Sequence, residues 1–279
     1  MRALSEVGAG AIESIFEPVT SLIRSRQIIF YLTRKRIVLR YRGSILGVLW
    51  ALISPALTLA IYTVVFGILL RARWSPDETN TTEYALLLYL GLCVYWFVSD
   101  CVSEAPGLVL NHPNYVKKVV FPLEILPYVS VADALFHTVV RLVVFVVAVS
   151  ILRGIPPWTI LLLPLVWIPV CLWTLALCWL LAAAGVFLRD LREVITLVLV
   201  AMLFLSPVFY SLDQMPSVAG TVIRLNPIVI PVMQVRDVAY FGVIPDPIVW
   251  LQVVASSAIF ARVAYSFFSR SRGTFADVV

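Results

Sequence analysis

Charged residues are scarce in this sequence of 279 residues: Lys, Arg, Asp and Glu together account for 13% of it. Soluble domains carry about 25% charged residues, so the shortage excludes an ordinary soluble fold. The chain is 61% hydrophobic, and its mean hydropathy is +0.98. Because each span needs roughly 20 apolar residues, the composition predicts an all-α integral membrane protein with six transmembrane helices.

Residues that serve catalysis or metal binding are also few. The sequence has 2 histidines and lacks the Gly-x-x-x-x-Gly-Lys-Ser/Thr motif that holds nucleotide phosphates. Its 4 cysteines form no Cys-x-x-Cys pair and lie in or near apolar stretches, as expected of buried free thiols. We therefore predict that the chain is not an enzyme and holds no metal and no cofactor.

The N-terminal part is predicted to be an arm over residues 1–43, with no cleavable signal peptide. Apolar residues recur there at helical spacing, and the basic cluster Arg34–Arg36 follows them. A helix with an apolar face and basic residues lies in the interface plane of a membrane. The apolar positions are Ile12, Ile15, Phe16, Val19, Leu22 and Ile23.

Residues 44–279 are predicted to form one transmembrane domain. Between the last two spans, residues 211–245 alternate short apolar pieces with proline and glycine, which favours short re-entrant or interfacial helices forming an outer cap. Residues 269–279 are predicted to be a short polar tail. The spans are predicted at about 44–70, 84–110, 124–152, 158–188, 194–210 and 246–268.

The distribution of positive charge predicts the orientation. With a cytoplasmic N-terminus, 14 of the 21 Lys and Arg residues lie on the cytoplasmic side, against 5 on the outer side. The positive-inside rule then places both termini in the cytoplasm, in agreement with an even number of spans. Basic residues at the ends of apolar segments suit anionic membrane lipid rather than nucleic acid.

Ionisable residues inside the predicted spans are expected to face protein or a water-filled path, because they are costly in lipid. His137 and Arg141 are four residues apart, so they share a helix face with Asp133. We favour an internal charge network that also includes Asp100 and Glu104 over a proton relay.

The segment Arg40-Tyr41-Arg42-Gly43, called the arginine elbow below, lies where the arm meets the first span. Two arginines flank an aromatic residue, and Gly43 is expected to end the arm helix. Guanidinium groups bind phosphate oxygens with two parallel hydrogen bonds. The elbow is therefore a candidate site for a phosphate or pyrophosphate headgroup, although anchoring of the arm by its positive charge would produce the same pattern.

Four stretches resemble the ABC-2-type permeases that export polysaccharides in O-antigen, capsule and teichoic-acid pathways. The first is Arg-Tyr-Arg-Gly-Ser-x-Leu-Gly-x-Leu-Trp-x-x-x-x-Pro, ending at Pro55, where Ser54 replaces the asparagine of the family pattern. The others are Lys117–Pro127, Arg189–Leu191, and Ser206–Tyr210 with Asn226-Pro227 downstream.

This resemblance implies the transmembrane subunit of an ATP-binding-cassette exporter in the bacterial inner membrane. It implies a homodimer paired with two copies of a separate ATPase, which carries ATP and Mg. The implied substrate is a lipid-linked polysaccharide on polyprenyl pyrophosphate, such as O-antigen for lipopolysaccharide biosynthesis. An ABC-2 permease for a drug or small lipid is the alternative, followed by a proton-coupled secondary transporter, for which we find no internal repeat.

The resemblance also implies roles for two groups of residues. The segment after the second span and the loop after the fourth would contact the ATPase through Asn111, His112, Asn114, Tyr115, Lys117, Lys118, Arg189 and Asp190. Aromatic residues on several spans would line a channel in which sugars stack, although interfacial belts also use aromatics. These are Tyr62, Phe66, Tyr89, Tyr95, Trp96, Phe97, Phe209 and Tyr210.

Overall fold

The computed structural model describes residues 2–70, 74, 81–116, 121–188, 190–212, 223 and 226–278, and every regular element within these ranges is helical. The α-helices are α1 (Arg2–Tyr41), α2 (Trp50–Tyr62), α3 (Thr81–Glu104), α4 (Pro113–Val116), α5 (Ile125–Leu152), α6 (Leu163–Phe187), α7 (Leu191–Phe204), α8 (Val229–Arg236) and α9 (Pro247–Val278).

Five helical stretches are long and apolar enough to cross a membrane. They overlap five of the six predicted spans, so the multi-pass, all-α class is confirmed. Two of the stretches are longer than one α-helix. The first consists of a 3-10 turn, α2 and a π-helical turn, and the fourth consists of a 3-10 turn followed by α6. The stretches are Gly47–Leu69, Thr82–Gly107, Ile125–Leu152, Trp158–Phe187 and Pro247–Phe275.

The predicted span 194–210 corresponds to α7, which is shorter than predicted. It has 14 residues and ends at Phe204, after which the backbone turns. At a rise of 1.5 Å per residue this helix is about 21 Å long, less than the roughly 30 Å hydrocarbon core. By length alone, the described part of the chain therefore holds five spans.

α3 is the central helix of the bundle. Within its most apolar window 83% of the residues are buried, against 11% for Gly47–Leu69, which lies at the periphery. α6 packs along α9 and comes close to the end of α3 at Gly185. A Cβ atom at this position would lie 2.6 Å from Cα of Pro106, so the close approach requires glycine.

α1 is a single helix of 40 residues, in agreement with the helical arm predicted over 1–43. Ser25 and Ile29 are buried, whereas Ile23 and Phe30 on other faces are 59% and 70% exposed. The Tyr128 hydroxyl of α5 donates to the carbonyl of Pro18 at 2.6 Å. The arm thus packs on the bundle along one stripe and leaves apolar side chains outside, while its position relative to a membrane stays a prediction.

Part of the predicted cap 211–245 lies inside the bundle. α8 continues into a π-helical turn at Asp237–Phe241, and both pack mainly against α3, α6 and the turn before α6. Val232 and Val235 are fully buried. Residues 213–222 and 224–225 lie outside the described residues, so the outer-cap role stays a prediction.

The short polar tail predicted over 269–279 is helical as far as the structure describes it, and part of it packs on the bundle. α9 continues to Val278, because its last turns have partners on the bundle. Phe275 is fully buried, and its ring lies 6.2 Å from that of Phe187 on α6, measured between centroids. Arg272 forms an ion pair of 3.1 Å with Glu124.

Candidate functional site

Charged side chains from α1, α3 and α5 meet at the end of the bundle where α3 ends and α5 begins. The predicted network within the spans is therefore confirmed. Two arginines of the arm also join it, and sequence reasoning did not include them because they lie far away in the chain. We call this group the charged cluster: Arg36, Arg40, Asp100, Glu104, Asp133, His137 and Arg141.

Asp133 is the anion that holds the arm. Its Oδ2 lies 2.8 Å from an Nη of Arg40 and 3.1 Å from Nε of Arg36, and its side chain is 3% exposed. Arg36 also contacts Glu104. Removing one partner of a buried ion pair leaves an uncompensated charge. These contacts therefore tie the last two turns of α1 to α3 and α5.

A second ion pair lies beside the first. An Nη of Arg141 is 2.9 Å from Oδ2 of Asp100, and the Arg141 guanidinium lies over the ring of Trp96 at 5.2 Å. The Tyr41 hydroxyl is 3.3 Å from Nδ1 of His137. Three arginines thus face three carboxylates, and the cluster has no net charge while His137 is neutral.

A cavity of about 370 Å³ opens between α1, α2, α3 and α5 beside the charged cluster. Arg40 and Arg141 both line it, and so do Trp50 and Trp96. Guanidinium groups beside aromatic faces suit a ligand that carries both an anion and a flat apolar surface. The cavity therefore has the chemistry for a phosphate attached to a sugar.

An apolar groove of about 380 Å³ lies along another side of α2, against α5. Ala51 lines both the groove and the cavity, so one helix separates a polar space from an apolar one. The groove is lined by Leu46, Leu49, Leu52, Phe136, Val140 and Val143, among others.

The residues of the arginine elbow occupy different environments. Arg40 and Tyr41 line the cavity, whereas Arg42 is exposed. Gly43 has φ +88°, a conformation that side chains with a Cβ rarely adopt, and it follows the end of α1 at Tyr41. The structure thus brings half of the elbow to the charged cluster and leaves Arg42 and Gly43 at the surface.

The predicted ATPase contacts that the structure describes lie around α4 and directly before α7. Asn111 is exposed, and Pro113 opens the short helix as expected. The rings of His112, Tyr115 and Phe121 form a stack, with centroid distances of 5.4 and 4.2 Å. The side chain of Asn114 is not described, and Lys117, Lys118 and Arg189 lie outside the described residues. Asp190 is exposed directly before α7. Their roles stay predictions.

The predicted channel aromatics fall into different environments. Tyr89, Tyr95 and Phe97 are buried in the bundle, at 0%, 8% and 0% exposure. Trp96 lines the cavity. The other four lie where α2, α3 and α7 meet. Phe66 contacts Tyr62 and Phe209 at 5.9 and 6.4 Å between centroids, and the Tyr210 hydroxyl donates to the carbonyl of Phe204. A channel role stays a prediction for all eight.

A buried arginine that sequence reasoning did not single out lies where α3 begins and α7 ends. Arg236 of α8 is 4% exposed and donates to the carbonyls of Leu87, Pro207 and Val208 at 2.9, 2.5 and 2.9 Å. Its guanidinium lies over the ring of Trp74 at 4.2 Å. We call this arrangement the carbonyl clamp. It includes no salt bridge within the described residues.

Comparisons with known proteins agree with this architecture. Residues 27–240 match the family described as ABC-2 type transporter. The chain is 28% identical over 263 residues to the O-antigen export system permease protein RfbA of Myxococcus xanthus, covering 94% of this chain and 98% of that protein. It is 24% identical over 257 residues to a protein of the same name from Klebsiella pneumoniae, covering 90% and 95%.

Proposed function

Because this chain belongs to the ABC-2 type transporter family, we propose that it is the permease subunit of an exporter for a lipid-linked polysaccharide such as O-antigen. The lipid carrier is a polyprenyl pyrophosphate, and the membrane crossed is the bacterial inner membrane. Relatives named O-antigen export permeases that align over 90% or more of the chain support this choice. As a permease of this family the chain is a transport subunit, not the ATPase.

The observation that carries the proposal is the pairing of a polar cavity with an apolar groove on two sides of α2. A polyprenyl diphosphate has a charged headgroup next to a long apolar chain, so it needs both environments at one place. Arg40 and Arg141 face the cavity, where they suit the diphosphate. The groove between α2 and α5 suits the first isoprene units.

Arg42 serves this site from the surface. It is exposed one residue before Gly43, which turns the backbone from the arm towards the first span. A cation at the headgroup level attracts anionic lipid. Arg42 therefore recruits the headgroup, and Arg40 holds it at the cavity.

In this proposal six segments cross the membrane and both termini are cytoplasmic. α7 completes the sixth crossing with the turn that follows it, because non-helical backbone at membrane depth is tolerated where protein surrounds it. Ser206 and Val208 in this turn are fully buried, which supports that assignment. α8 is then a re-entrant helix, and the segment 211–245 covers the outer end.

Energy comes from the partner in this proposal. Two copies of an ABC ATPase bind ATP and Mg, and they dock on the segment around α4 and on the loop at Asp190. Two copies of this chain form the path for the glycan, with aromatic side chains along it. The stack of His112, Tyr115 and Phe121 gives α4 a fixed position from which to transmit movement to α3 and α5.

The test is glycan export in cells that lack the native permease, supplied with this chain and its ATPase. We expect Arg42→Ala to reduce surface glycan strongly while the complex still hydrolyses ATP. Arg34→Ala, which changes an exposed arginine of the same arm, is the control and retains export. Full export by Arg42→Ala would overturn the headgroup role. Transport of a drug or short lipid without any glycan would favour the alternative substrate class.

A further inference from the structure

The charged cluster has a feature that headgroup binding by itself does not explain. Every arginine in it already has a carboxylate partner: Arg40 is held by Asp133, and Arg141 by Asp100. Within the described residues the three arginines and three carboxylates cancel. A diphosphate that entered the cavity would find two guanidinium groups, each already bound to an anion.

We propose that Asp133 stands in for the phosphate in the unloaded protein, and that the incoming headgroup takes Arg40 from it. The inference rests on the proposed function, since it concerns the same headgroup. The exchange replaces one anion by another at the guanidinium, so the cation never becomes unpaired. It also removes one of the two arginine contacts between α1 and Asp133, which loosens the end of the arm.

The geometry of Asp133 suits an exchange better than a permanent bond. Both arginines share its Oδ2, while its Oδ1 has no hydrogen-bond partner among the described residues. That free oxygen lies 3.7 Å from Nε2 of His137, which likewise has none. When Arg40 leaves, Nε of Arg36 remains in contact with Asp133, so the carboxylate keeps one arginine partner. Arg36 is therefore the fixed contact and Arg40 the exchangeable one.

Exposure separates the two arginines in the same way. The side chain of Arg40 is 39% exposed and lines the cavity, whereas Arg36 is 27% exposed and contacts Glu104 as well as Asp133. A phosphate arriving in the cavity meets Arg40 first. In the second cavity pair the carboxylate is the more exposed partner: Asp100 is 37% exposed against 16% for Arg141, so Asp100 can turn away into water.

The experiment measures binding of labelled undecaprenyl diphosphate to the complex of this chain with its ATPase in lipid nanodiscs. Asp133→Asn keeps the shape of the side chain and removes the competing anion. We expect it to bind the lipid roughly five- to tenfold more tightly than the wild type, which corresponds to about 1–1.4 kcal/mol of competition removed at Arg40. Glu124→Gln, which breaks the Arg272 pair away from the cavity, is the matched control and leaves affinity unchanged.

A double-mutant cycle separates the release of Arg40 by Asp133 from a general change in the electrostatic field of the cavity. In an Arg40→Gln background the increase in lipid affinity caused by Asp133→Asn should disappear, because there is no guanidinium left for Asp133 to release. Unchanged or weaker binding by Asp133→Asn, or a gain that persists without Arg40, overturns the proposal. If Asp133→Asn does not fold, Asp100→Asn takes its place, with Arg141→Gln as the background and the same two outcomes.

Two further measurements identify the ligand and the movement. Inorganic pyrophosphate is the second probe. If it competes as strongly as unlabelled lipid does, the site binds a free diphosphate rather than a lipid headgroup, which overturns the lipid form of the proposal.

Spin labels at Val38 and Val147, in a Cys171→Ala background, report whether α1 loosens from α5. We expect the distance distribution to broaden when the lipid binds. Export with no effect of Asp133→Asn refutes this inference alone, whereas absence of export and of lipid binding refutes the proposed function too.

Discussion

The charged cluster and the carbonyl clamp both hold arginine within an apolar bundle, but the groups that accept its hydrogen bonds differ. In the cluster the acceptors are carboxylates on side chains, and Asp100 and Glu104 among them are 37% and 42% exposed. In the clamp the acceptors are three backbone carbonyls, around an arginine that is 4% exposed. Carboxylates can turn away and be replaced by a ligand, whereas carbonyls belong to the backbone and cannot.

This difference assigns the two regions different tasks. The clamp joins α3, α8 and the turn after α7. Arg236 donates to Pro207 and Val208, where the helical hydrogen-bond pattern of α7 has stopped, and also to Leu87 within α3. The cluster joins the arm to the spans through contacts that are partly open to water. The rigid clamp thus lies near the start of α3, and the exchangeable contacts of the charged cluster lie near its end.

The largest effect is expected from breaking the clamp with Arg236→Met. The substitution leaves the carbonyls of Pro207 and Val208, in the turn after α7, without the donor that Arg236 provides, and each such group costs about 1–3 kcal/mol when buried. We expect the free energy of unfolding in detergent to fall by at least about 2 kcal/mol, measured by denaturant titration. Arg236→Lys should recover only part of the lost stability, because the three donors of a lysine lie on one ammonium group and cannot reach all the carbonyls that the planar guanidinium reaches. A stable Arg236→Met protein would mean that the carbonyls find other donors.

A smaller loss of unfolding free energy is expected when an added side-chain atom presses against Arg236 than when the arginine is removed. A Cβ at position 91 would lie 2.7 Å from an Nη of Arg236 and 3.3 Å from Cα of Val208, so Gly91→Ala should cost about 1–3 kcal/mol. Gly107→Ala is the matched control: its Cβ would meet the amide of Asn111 at 2.7 Å, but that side chain is exposed and can move. Equal melting temperatures for the two variants would show that Arg236 is not held rigidly.

The cluster is tested next by Arg36→Gln, which removes the fixed contact between the arm and Asp133. Hydrogen bonds to charged groups contribute about 1.5–3 kcal/mol, and Arg40 remains to compensate in part. We expect faster hydrogen exchange in the C-terminal half of α1, with little change in α3 and α6. Arg34→Gln, at an exposed position of the same helix, should leave exchange in α1 unaltered. Uniform loss of protection across the bundle would instead give the cluster the structural role of the clamp.

The smallest effect is expected from Tyr41→Phe, which removes the 3.3 Å contact between the hydroxyl and His137. A single neutral hydrogen bond contributes about 0.5–1.5 kcal/mol. The melting temperature should fall slightly, and lipid binding should stay within about twofold of the wild type. Tyr31→Phe, at a position that is 64% exposed, is the control and should not change either quantity. A loss of binding as large as that of Arg40→Gln would place Tyr41 among the headgroup ligands.

Much of the fold could be predicted from the chain alone, because membrane insertion depends on local composition. Five of the six predicted spans overlap long apolar helices, and the break after Tyr41 coincides with the left-handed Gly43. α7 was predicted too long because its end is set by a turn around Ser206, whose side chain bonds Asn226 twenty residues later. The packing of the last turns of α9 could not be predicted because their partners, Glu124 and Phe187, are far away in the chain and are not visible in a local hydropathy pattern.

The amino-acid sequence by itself determined that this protein is a multi-pass helical membrane protein, and that its spans carry ionisable residues which need partners. Hydropathy and the cost of burying charge act on each segment independently, so they can be assessed without a fold. Only the tertiary structure decided which partners meet. Arg40 and Asp133 are 93 residues apart, and Arg236 and Leu87 are 149 apart. Contacts over such separations depend on how the helices pack, and that packing made one arginine exchangeable and the other fixed.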